Sequence, residues 1–189
     1  MARPSARPAR QRQISAALRR LLPETGFAGA SIKAIAAEAG LTPGLVHHHF
    51  PSKSAILLHV VDELAATLAA RLPEDDADIH ALIDAWLRPG PGADAEAVLC
   101  WAAIGAEAAR REDVRAVYSA AIQQQVRRFE AALSRAAPGR TDDEVQAVAV
   151  VLQAAIEGSF RLHASAPGLI PPGAAAPAVH ALVDGWLQG

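Results

Sequence analysis

The sequence has one cysteine, few aromatic residues and no long apolar run. Cys100 is the only cysteine among 189 residues, which excludes an intrachain disulfide and a cysteine-rich zinc site. Aromatic residues account for 4% of the chain, although apolar residues account for 51% and alanine is prominent among them. This composition favours closely packed helices over a sheet, which would need more Val, Ile, Tyr and Phe. We therefore predict an all-α protein.

The absence of an uninterrupted run of about 18 apolar residues argues against a membrane-spanning helix. The N-terminal sequence MARPSARPARQRQ is basic, but no apolar stretch long enough for a signal peptide follows it. We expect a cytoplasmic protein with no membrane partner. We also expect neither a cofactor nor a bound metal.

Charge is distributed unevenly along the chain. Residues 1–53 carry eight Lys or Arg and two acidic residues, whereas the other 136 residues carry ten and eighteen. The overall charge of −2 therefore conceals a basic N-terminal segment. This asymmetry predicts a small module that binds a polyanion such as nucleic acid, joined to a larger acidic body that does not.

Apolar periodicity and Pro/Gly clusters predict about nine helices. The first runs from about residue 8 or 10 to residue 24 and stops at Gly26. Ser31 caps a helix over 32–39 that Gly40 closes, Thr42 caps a third that ends before residue 51, and Ser52 caps a fourth that continues to about residue 72. The later helices are predicted over 76–87, 94–110, 113–136, 142–165 and 174–188.

Two short helices joined by a tight turn, after a longer helix, are typical of a helix-turn-helix. The stretch ISAALRRLLPETGFAGASIKAIAAEAGLTPGLVHHHFPSKSAILLHVV has GF after the first helix and S-I-x-x-I-A-x-x-A-G in the second. It has L-T-P-G-x-x-x-x-H-F in the third helix and P-S-K before the fourth. In these features it resembles the N-terminal DNA-binding domain of the TetR family of transcriptional regulators. The later segment WAAIGAEAARREDVRAVYSAAIQQQ is loosely similar to the C-terminal domains of BetI-type members.

The resemblance implies a homodimeric repressor that binds a palindromic double-stranded operator and is released by a small-molecule effector. It also implies that the protein is not an enzyme. We accordingly divide the chain into a flexible basic arm (1–9), a helix-turn-helix DNA-binding domain (10–53), a connecting helix (54–72) and a ligand-binding and dimerisation domain (73–189).

The start of the third helix suits close approach to the major groove. Thr42, Pro43 and Gly44 are small, and Leu45 offers an apolar contact, for example to a thymine methyl group. The family usually has threonine at the position of Leu45 and tyrosine at that of His47. The chain departs from the family pattern at both positions, which bears on base preference more than on docking mode.

His47, His48 and His49 are consecutive on a helix and about 100° apart, so they cannot converge on one metal ion. The resemblance implies phosphate contacts for His47 and His49 and a base or sugar contact for His48. Packing of His49 against Phe50 is the alternative for that residue.

Lys53 opens the fourth helix, where a cation and free backbone N–H groups together suit a phosphate oxygen. Ser31 and Lys33 are further phosphate candidates at the start of the second helix. Ser31 fits a purely capping role equally well.

The resemblance further implies a small-molecule pocket in the middle helices. Polar side chains on otherwise apolar faces are the better candidates, because burying them requires a partner, and each aromatic residue also fits a core role. The candidates are Trp86, Trp101, Glu107, Tyr118, Gln125, Phe129, Gln153, Glu157 and Phe160.

The resemblance places the dimer interface on the last two long helices. An intrachain core would show the same apolar periodicity, so the pattern alone does not separate the two roles. The candidates are Val148, Val151, Leu152, Ala155, Val179, Leu182, Val183 and Trp186.

Two alternatives stay open, namely a regulator of the same fold without a small-molecule effector and one that activates transcription. An enzyme or metal-dependent protein is disfavoured because the histidines show no H-E-x-x-H spacing and no Gly-rich phosphate loop occurs. The acidic run at residues 142–144 suits a helix N-terminus.

Overall fold

The computed structural model describes residues 7–189. The arm predicted at residues 1–9 therefore falls mostly outside the described residues, and positions 7–9 begin the first helix. The described chain forms nine helices and no strand, as predicted. They are α1 (Arg7–Gly29), α2 (Ile32–Glu38), α3 (Pro43–His49), α4 (Lys53–Ala69), α5 (Ile79–Leu87), α6 (Ala95–Ala108), α7 (Glu112–Ala136), α8 (Asp142–Ser165) and α9 (Ala175–Gln188).

The helices form two compact units. The first comprises the described residues up to Ala65 together with Leu99–Tyr118, and the second comprises Ala66–Val98 and Ser119–Gly189. Helices α4, α6 and α7 each contribute residues to both units. The end of α6 and the start of α7 thus pack with the helix-turn-helix, although the sequence-based division assigns no residue after 72 to that part of the chain.

In the first unit, α1 to α4 enclose a small apolar core. Two polar contacts fix α1 on α2, since Arg20 pairs with Glu38 at 2.5 Å and Gln13 Nε2 donates to the Ala39 carbonyl over 2.6 Å. The fully buried aliphatic side chains include Ile14, Leu18, Ile35, Val46 and Leu57.

Gly40 forms the turn between α2 and α3 in the left-handed region, with a φ of 65°. The Leu41 N–H donates to the Ala36 carbonyl over 2.8 Å, and the Gly40 N–H donates to the Ala37 carbonyl over 3.1 Å. This pair of bonds is a Schellman motif, in which a residue with a Cβ atom is strained. The motif sets the direction in which the chain enters α3 and so positions its surface.

The predicted caps at the starts of α2, α3 and α4 have the expected hydrogen bonds. The hydroxyl oxygens of Ser31, Thr42 and Ser52 accept backbone N–H groups over 3.1, 3.3 and 3.1 Å. Phe50 is extended, with φ −135° and ψ 126°, because the following Pro51 disfavours the helical region. Local chemistry thus determines where these helices begin and where α3 ends.

Several predicted boundaries are wrong. Helical turns in α1 continue beyond residue 24 to Gly29, with an interruption at Gly26, where φ is 63° and ψ is 176°. The fourth helix ends at Ala69 instead of residue 72. The fifth begins at Ile79 instead of residue 76, because the Asp78 side chain caps it. Helix α8 has the predicted bounds.

In the second unit, α5, α7, α8 and α9 enclose the main apolar core. Phe129, Leu133 and Ile156 are fully buried there. Helix α8 is long and apolar enough to span a membrane by length and composition alone. Its buried face, which includes Ala149 and Leu152, lies in this core, and 28% of its most apolar 18-residue window is buried.

Two reciprocal His–Asp pairs join α5 and α9. His80 Nε2 lies 2.8 Å from Asp184 Oδ1, and His180 Nε2 lies 3.1 Å from Asp84 Oδ1. The imidazole rings of His80 and His180 meet edge to face, with centroids 4.8 Å apart. The hydrogen bond between His80 and Asp184 adds a polar link to the apolar packing that holds α9 against α5. The His180 Nε2 atom lies near Asp84 but has no hydrogen-bond partner among the described residues.

Candidate functional site

The N-terminal end and outer face of α3 are exposed. Residues 42–44, His47 and His48 all face solvent, and Leu45 is half-buried. Val46 is fully buried on the opposite side and anchors α3 in the core. Helix α3 thus presents small residues followed by two imidazoles, a surface that can enter the major groove.

His49 differs from its two neighbours. It is half-buried, and its Nδ1 atom is buried without a hydrogen-bond partner among the described residues. Burial lowers the pKa of His49, and the nearby charges of His48, Arg7 and Arg10 lower it further. These effects favour the neutral imidazole, which is less suited to a phosphate contact than a charged one.

The three histidines do not gather around a common point. The rings of His48 and His49 meet edge to face, with centroids 5.2 Å apart. Within residues 7–189, no group of three or more His, Cys, Asp or Glu side chains is arranged to hold a metal ion.

Lys53, the predicted phosphate-binding cation, makes contacts within the chain. Its Nζ donates to the Phe27 carbonyl over 2.5 Å, lies 3.5 Å from the Ala28 carbonyl and lies 4.2 Å from the centroid of the Phe27 ring. Burial lowers the pKa of Lys53, with Glu107 acting to raise it and Arg111 to lower it. An ammonium group has three N–H donors, so these contacts leave capacity for a phosphate oxygen.

The two candidates at the start of α2 have different surroundings. Lys33 is exposed, whereas the Ser31 hydroxyl accepts the bond that caps the helix. A capping serine retains its own O–H donor, so the cap does not preclude a phosphate contact.

A cavity of about 500 Å³ lies between α7 and α8 in the second unit. Its wall combines apolar side chains with acidic, basic and amide groups. The lining residues are Ile122, Gln123, Val126, Arg127, Glu130, Gln146, Val150, Gln153, Ala154 and Glu157.

Gln153 connects this wall to the interior of the unit. Its Nε2 donates to Gln125 Oε1 over 2.6 Å and to Glu157 Oε1 over 3.2 Å. Gln153 and Gln125 are only 4% and 7% exposed, and Gln153 Oε1 has no hydrogen-bond partner among the described residues. An unpaired buried acceptor is costly, so a ligand that donates a hydrogen bond to Gln153 Oε1 would gain affinity.

Three predicted pocket residues lie instead in or against the core of the second unit. Trp86 and Phe129 are buried there, with ring centroids 6.2 Å apart. Phe160 packs against the same core. Apolar packing accounts for Phe129 and Phe160 without a ligand. The Trp86 Nε1 atom, by contrast, is buried without a hydrogen-bond partner among the described residues.

The other three predicted pocket residues belong to the first unit. The rings of Trp101 and Tyr118 are 4.8 Å apart. Glu107 lies close enough to Lys53 to favour the charged ammonium. The predicted pocket residues are thus distributed over two units. Among them, hydrogen bonds connect Gln153 to Gln125 and to Glu157 in the second unit.

The predicted dimer residues divide into buried, half-buried and exposed groups. Leu152, Val179 and Val183 are buried in the core of their own chain, which accounts for their apolar character. Val151 and Leu182 are 65% and 68% exposed. The half-buried members are Val148, Ala155 and Trp186.

Sequence reasoning missed two features of these sites. The α7 wall of the cavity includes positions 122, 126 and 130, whose spacing of four residues is a detectable helical stripe. The contact of Arg111 with the Phe27 ring has no comparable signal, because the two residues are distant in sequence.

Two family models match the chain. One, described as bacterial regulatory proteins of the tetR family, matches residues 14–60, and the other, described as the C-terminal part of BetI-type transcriptional repressors, matches residues 73–188. The first match includes α2, α3 and the turn between them, and the second includes the α7–α8 cavity.

Individual relatives agree with these matches. The chain is 32% identical over 117 residues to the HTH-type transcriptional regulator BetI of Rhizobium meliloti (strain 1021), covering 57% of this chain and 56% of that protein. The chain thus spans about half the length of this curated relative.

Solved structures share the fold over nearly the whole chain. A transcriptional regulator from Rhodococcus sp. Rha1 superposes with a TM-score of 0.78 at 24% identity, covering 95% of this chain and 96% of that one. A regulator from Saccharomonospora viridis in complex with choline has a TM-score of 0.66 at 20% identity and 96% coverage of both chains.

Proposed function

Because the chain belongs to the TetR family of bacterial regulatory proteins, we propose that it is a repressor whose dimer binds a palindromic operator and is released by a small-molecule effector. It is a helix-turn-helix transcriptional regulator and not an enzyme. The observation that carries the proposal is the exposed surface of α3, with residues 42–44, His47 and His48 at its outer face. A repressor that acts on operator DNA would work in the cytoplasm.

In the proposed complex, α3 lies in the major groove. Residues 42–44 allow close approach, Leu45 makes an apolar contact with a base edge, and His48 contacts a base or sugar. His47 and Lys53 contact phosphates. His49 contributes chiefly by packing, since burial favours its neutral form.

The proposed dimer uses α8 and α9. A palindromic site requires two α3 helices about 34 Å apart, related by a two-fold axis. Val151 and Leu182 are 65% and 68% exposed on these helices. Their apolar side chains would be covered by the same surface of a second copy.

The proposed effector binds in the α7–α8 cavity. Its recognition would use Gln153 Oε1 and the Glu157 carboxylate as acceptors and Val126 as an apolar wall. The choline bound by the Saccharomonospora viridis regulator supports an effector of small size. An effector that binds one conformation of the dimer more tightly shifts the population toward it, and release follows if that conformation binds DNA less well.

Selection from a pool of random-sequence duplexes tests the DNA-binding part. We expect the bound fraction to be enriched in an inverted repeat with half-sites about one helical turn apart. Enrichment of a single, non-repeated site, or no enrichment, would contradict the dimeric operator. Labelled duplexes from the selection then serve as the operator.

A thermal-shift screen of small polar metabolites tests the effector. A true effector raises the melting temperature by mass action, releases the labelled operator and loses both effects in Gln153→Leu. A compound that strengthens operator binding would contradict release of the operator by the effector. Absence of any stabilising compound would favour a regulator without a small-molecule effector.

A further inference from the structure

Two cationic side chains contact the ring of Phe27. Lys53 Nζ lies 4.2 Å and Arg111 Cζ lies 4.6 Å from the ring centroid. Phe27 is buried immediately after the interruption of α1 at Gly26, so the core of the first unit holds its ring. Both cations are attracted to the π-electrons of the same ring.

The guanidinium of Arg111 is itself held by two other side chains. Its Nε and Nη2 donate to Asp113 Oδ1 and Oδ2 over 3.1 and 2.6 Å, and Nη2 also donates to Ser54 Oγ over 2.7 Å. The bond with Asp113 raises the pKa of Arg111 and lowers the pKa of Asp113, so both groups stay charged. Arg111 lies between α6 and α7, and Ser54 lies in the first turn of α4. One guanidinium therefore links the α6–α7 turn, the start of α4 and the Phe27 ring.

The position of the Lys53 side chain depends on the same two parts of the first unit, namely Phe27 and the first turn of α4. Lys53 is the neighbour of Ser54 in the first turn of α4, and its ammonium is held by the carbonyl oxygen and the ring of Phe27. Carbonyls in the last turn of a helix attract cations, and Phe27 and Ala28 belong to the last turn of α1. The position of the ammonium is thus set by Phe27 on one side and by the start of α4 on the other.

We propose that Arg111 is a positioning residue for DNA binding, which fixes Phe27 and the first turn of α4 and thereby holds the Lys53 ammonium where a phosphate can accept its remaining N–H. This inference rests on the proposed phosphate contact of Lys53. Arg111 itself does not touch the DNA. Without the Arg111 guanidinium, the Lys53 ammonium is less ordered. Phosphate binding is then weaker, because ordering the ammonium group costs entropy.

A double-mutant cycle on DNA binding tests this role. Affinity for a random-sequence duplex is measured by fluorescence anisotropy over a salt series for the unmodified protein, Lys53→Ala, Arg111→Ala and the double variant. We expect Lys53→Ala to reduce the slope of log affinity against log salt by about one unit per subunit. Arg111→Ala is expected to reduce the slope in the same direction, and the double variant no further than Lys53→Ala alone.

Arg110→Ala is the matched control. It removes one positive charge from an adjacent exposed position, so it reports the loss of general attraction to DNA. We expect Arg111→Ala to lower the affinity at fixed salt several-fold more than Arg110→Ala does.

The outcomes separate this inference from the proposed function. Additive slopes, or an effect of Arg111→Ala no larger than that of Arg110→Ala, would overturn the positioning role and leave the Lys53 contact in place. An unchanged slope in Lys53→Ala would overturn both. If Arg111→Ala does not fold by circular dichroism, Asp113→Asn replaces it in the cycle, because it weakens the anchoring of Arg111 and leaves the guanidinium in the chain.

Discussion

Gln153 Nε2 donates a hydrogen bond to Gln125 Oε1 over 2.6 Å between α8 and α7, and both side chains are buried. This bond satisfies only part of the hydrogen-bonding capacity of the two amides, since Gln153 Oε1 has no hydrogen-bond partner among the described residues. Removing one amide leaves the other with less of its hydrogen bonding, whereas removing both replaces a polar pair with an apolar contact.

We therefore expect Gln153→Leu alone to lower the free energy of unfolding by about 1–3 kcal/mol, because it leaves Gln125 Oε1 buried without its donor. The double variant Gln125→Leu/Gln153→Leu should lie within about 1 kcal/mol of the unmodified protein. Urea denaturation of the unmodified protein, Gln125→Leu, Gln153→Leu and the double variant measures the coupling. Gln123→Leu, at an exposed position of α7, is the control and should change stability little. Simple additivity of the two single changes would mean that the amides do not interact.

The two glycines of the helix-turn-helix provide a second prediction. Gly40 has a φ of 65°, whereas Gly44 lies inside α3, and a Cβ built at either position has no atom within 4 Å. Gly40→Ala should cost about 1–2 kcal/mol of stability, since only the left-handed backbone is unfavourable there. Gly44→Ala should stabilise the fold by about 0.5–1 kcal/mol through lower entropy of the unfolded chain.

DNA binding separates these glycine variants further. Gly44 faces outward at the proposed interface, so its added methyl group should weaken operator binding although the protein is more stable. Thermal melts and anisotropy titrations on the same samples measure both effects. Unchanged operator affinity in Gly44→Ala would place the DNA contact elsewhere on α3.

Local chemistry explains why some of the fold could be predicted from the sequence. The caps at Ser31 and Thr42 and the end of α3 before Pro51 depend on residues within one turn of each other. The start of α5 was missed because three aspartates precede it, and a sequence pattern alone does not indicate that Asp78 is the one that caps it.

The candidate sites were harder to predict, because they depend on contacts between distant parts of the chain. Lys53 was correctly placed at the start of its helix, but its contact with Phe27 joins residues 26 positions apart. Trp86 and Phe129 attract attention as aromatic residues, yet they fill the core. Gln125 and Gln153 are polar residues on otherwise apolar helix faces, and in the structure they are buried against each other, because a buried amide needs a partner.

The lowered pKa of His49 predicts a pH-dependent stability. In the unfolded chain this histidine titrates near its ordinary value of 6.5, whereas burial in the folded chain lowers its pKa. The unfolded state therefore binds more protons between these values, so the free energy of unfolding should fall as the pH decreases through 6.5. Denaturation at neutral and mildly acidic pH measures the difference. His49→Gln should reduce it, and an equal difference in both proteins would assign the dependence to other groups.

Substitutions of the exposed residues Val151 on α8 and Leu182 on α9 test the proposed dimer. Val151 and Leu182 are 65% and 68% exposed on these two helices, and Leu169, in the connection between them, is 64% exposed. Glutamate at Val151 or Leu182 would place an unpaired carboxylate in the proposed apolar interface, where desolvation is costly. Sedimentation velocity should show these two variants shifted toward monomer, with operator affinity lost in parallel, whereas Leu169→Glu should remain a dimer. If Leu169→Glu dissociates and the other two do not, the interface includes the α8–α9 connection instead of the helix faces.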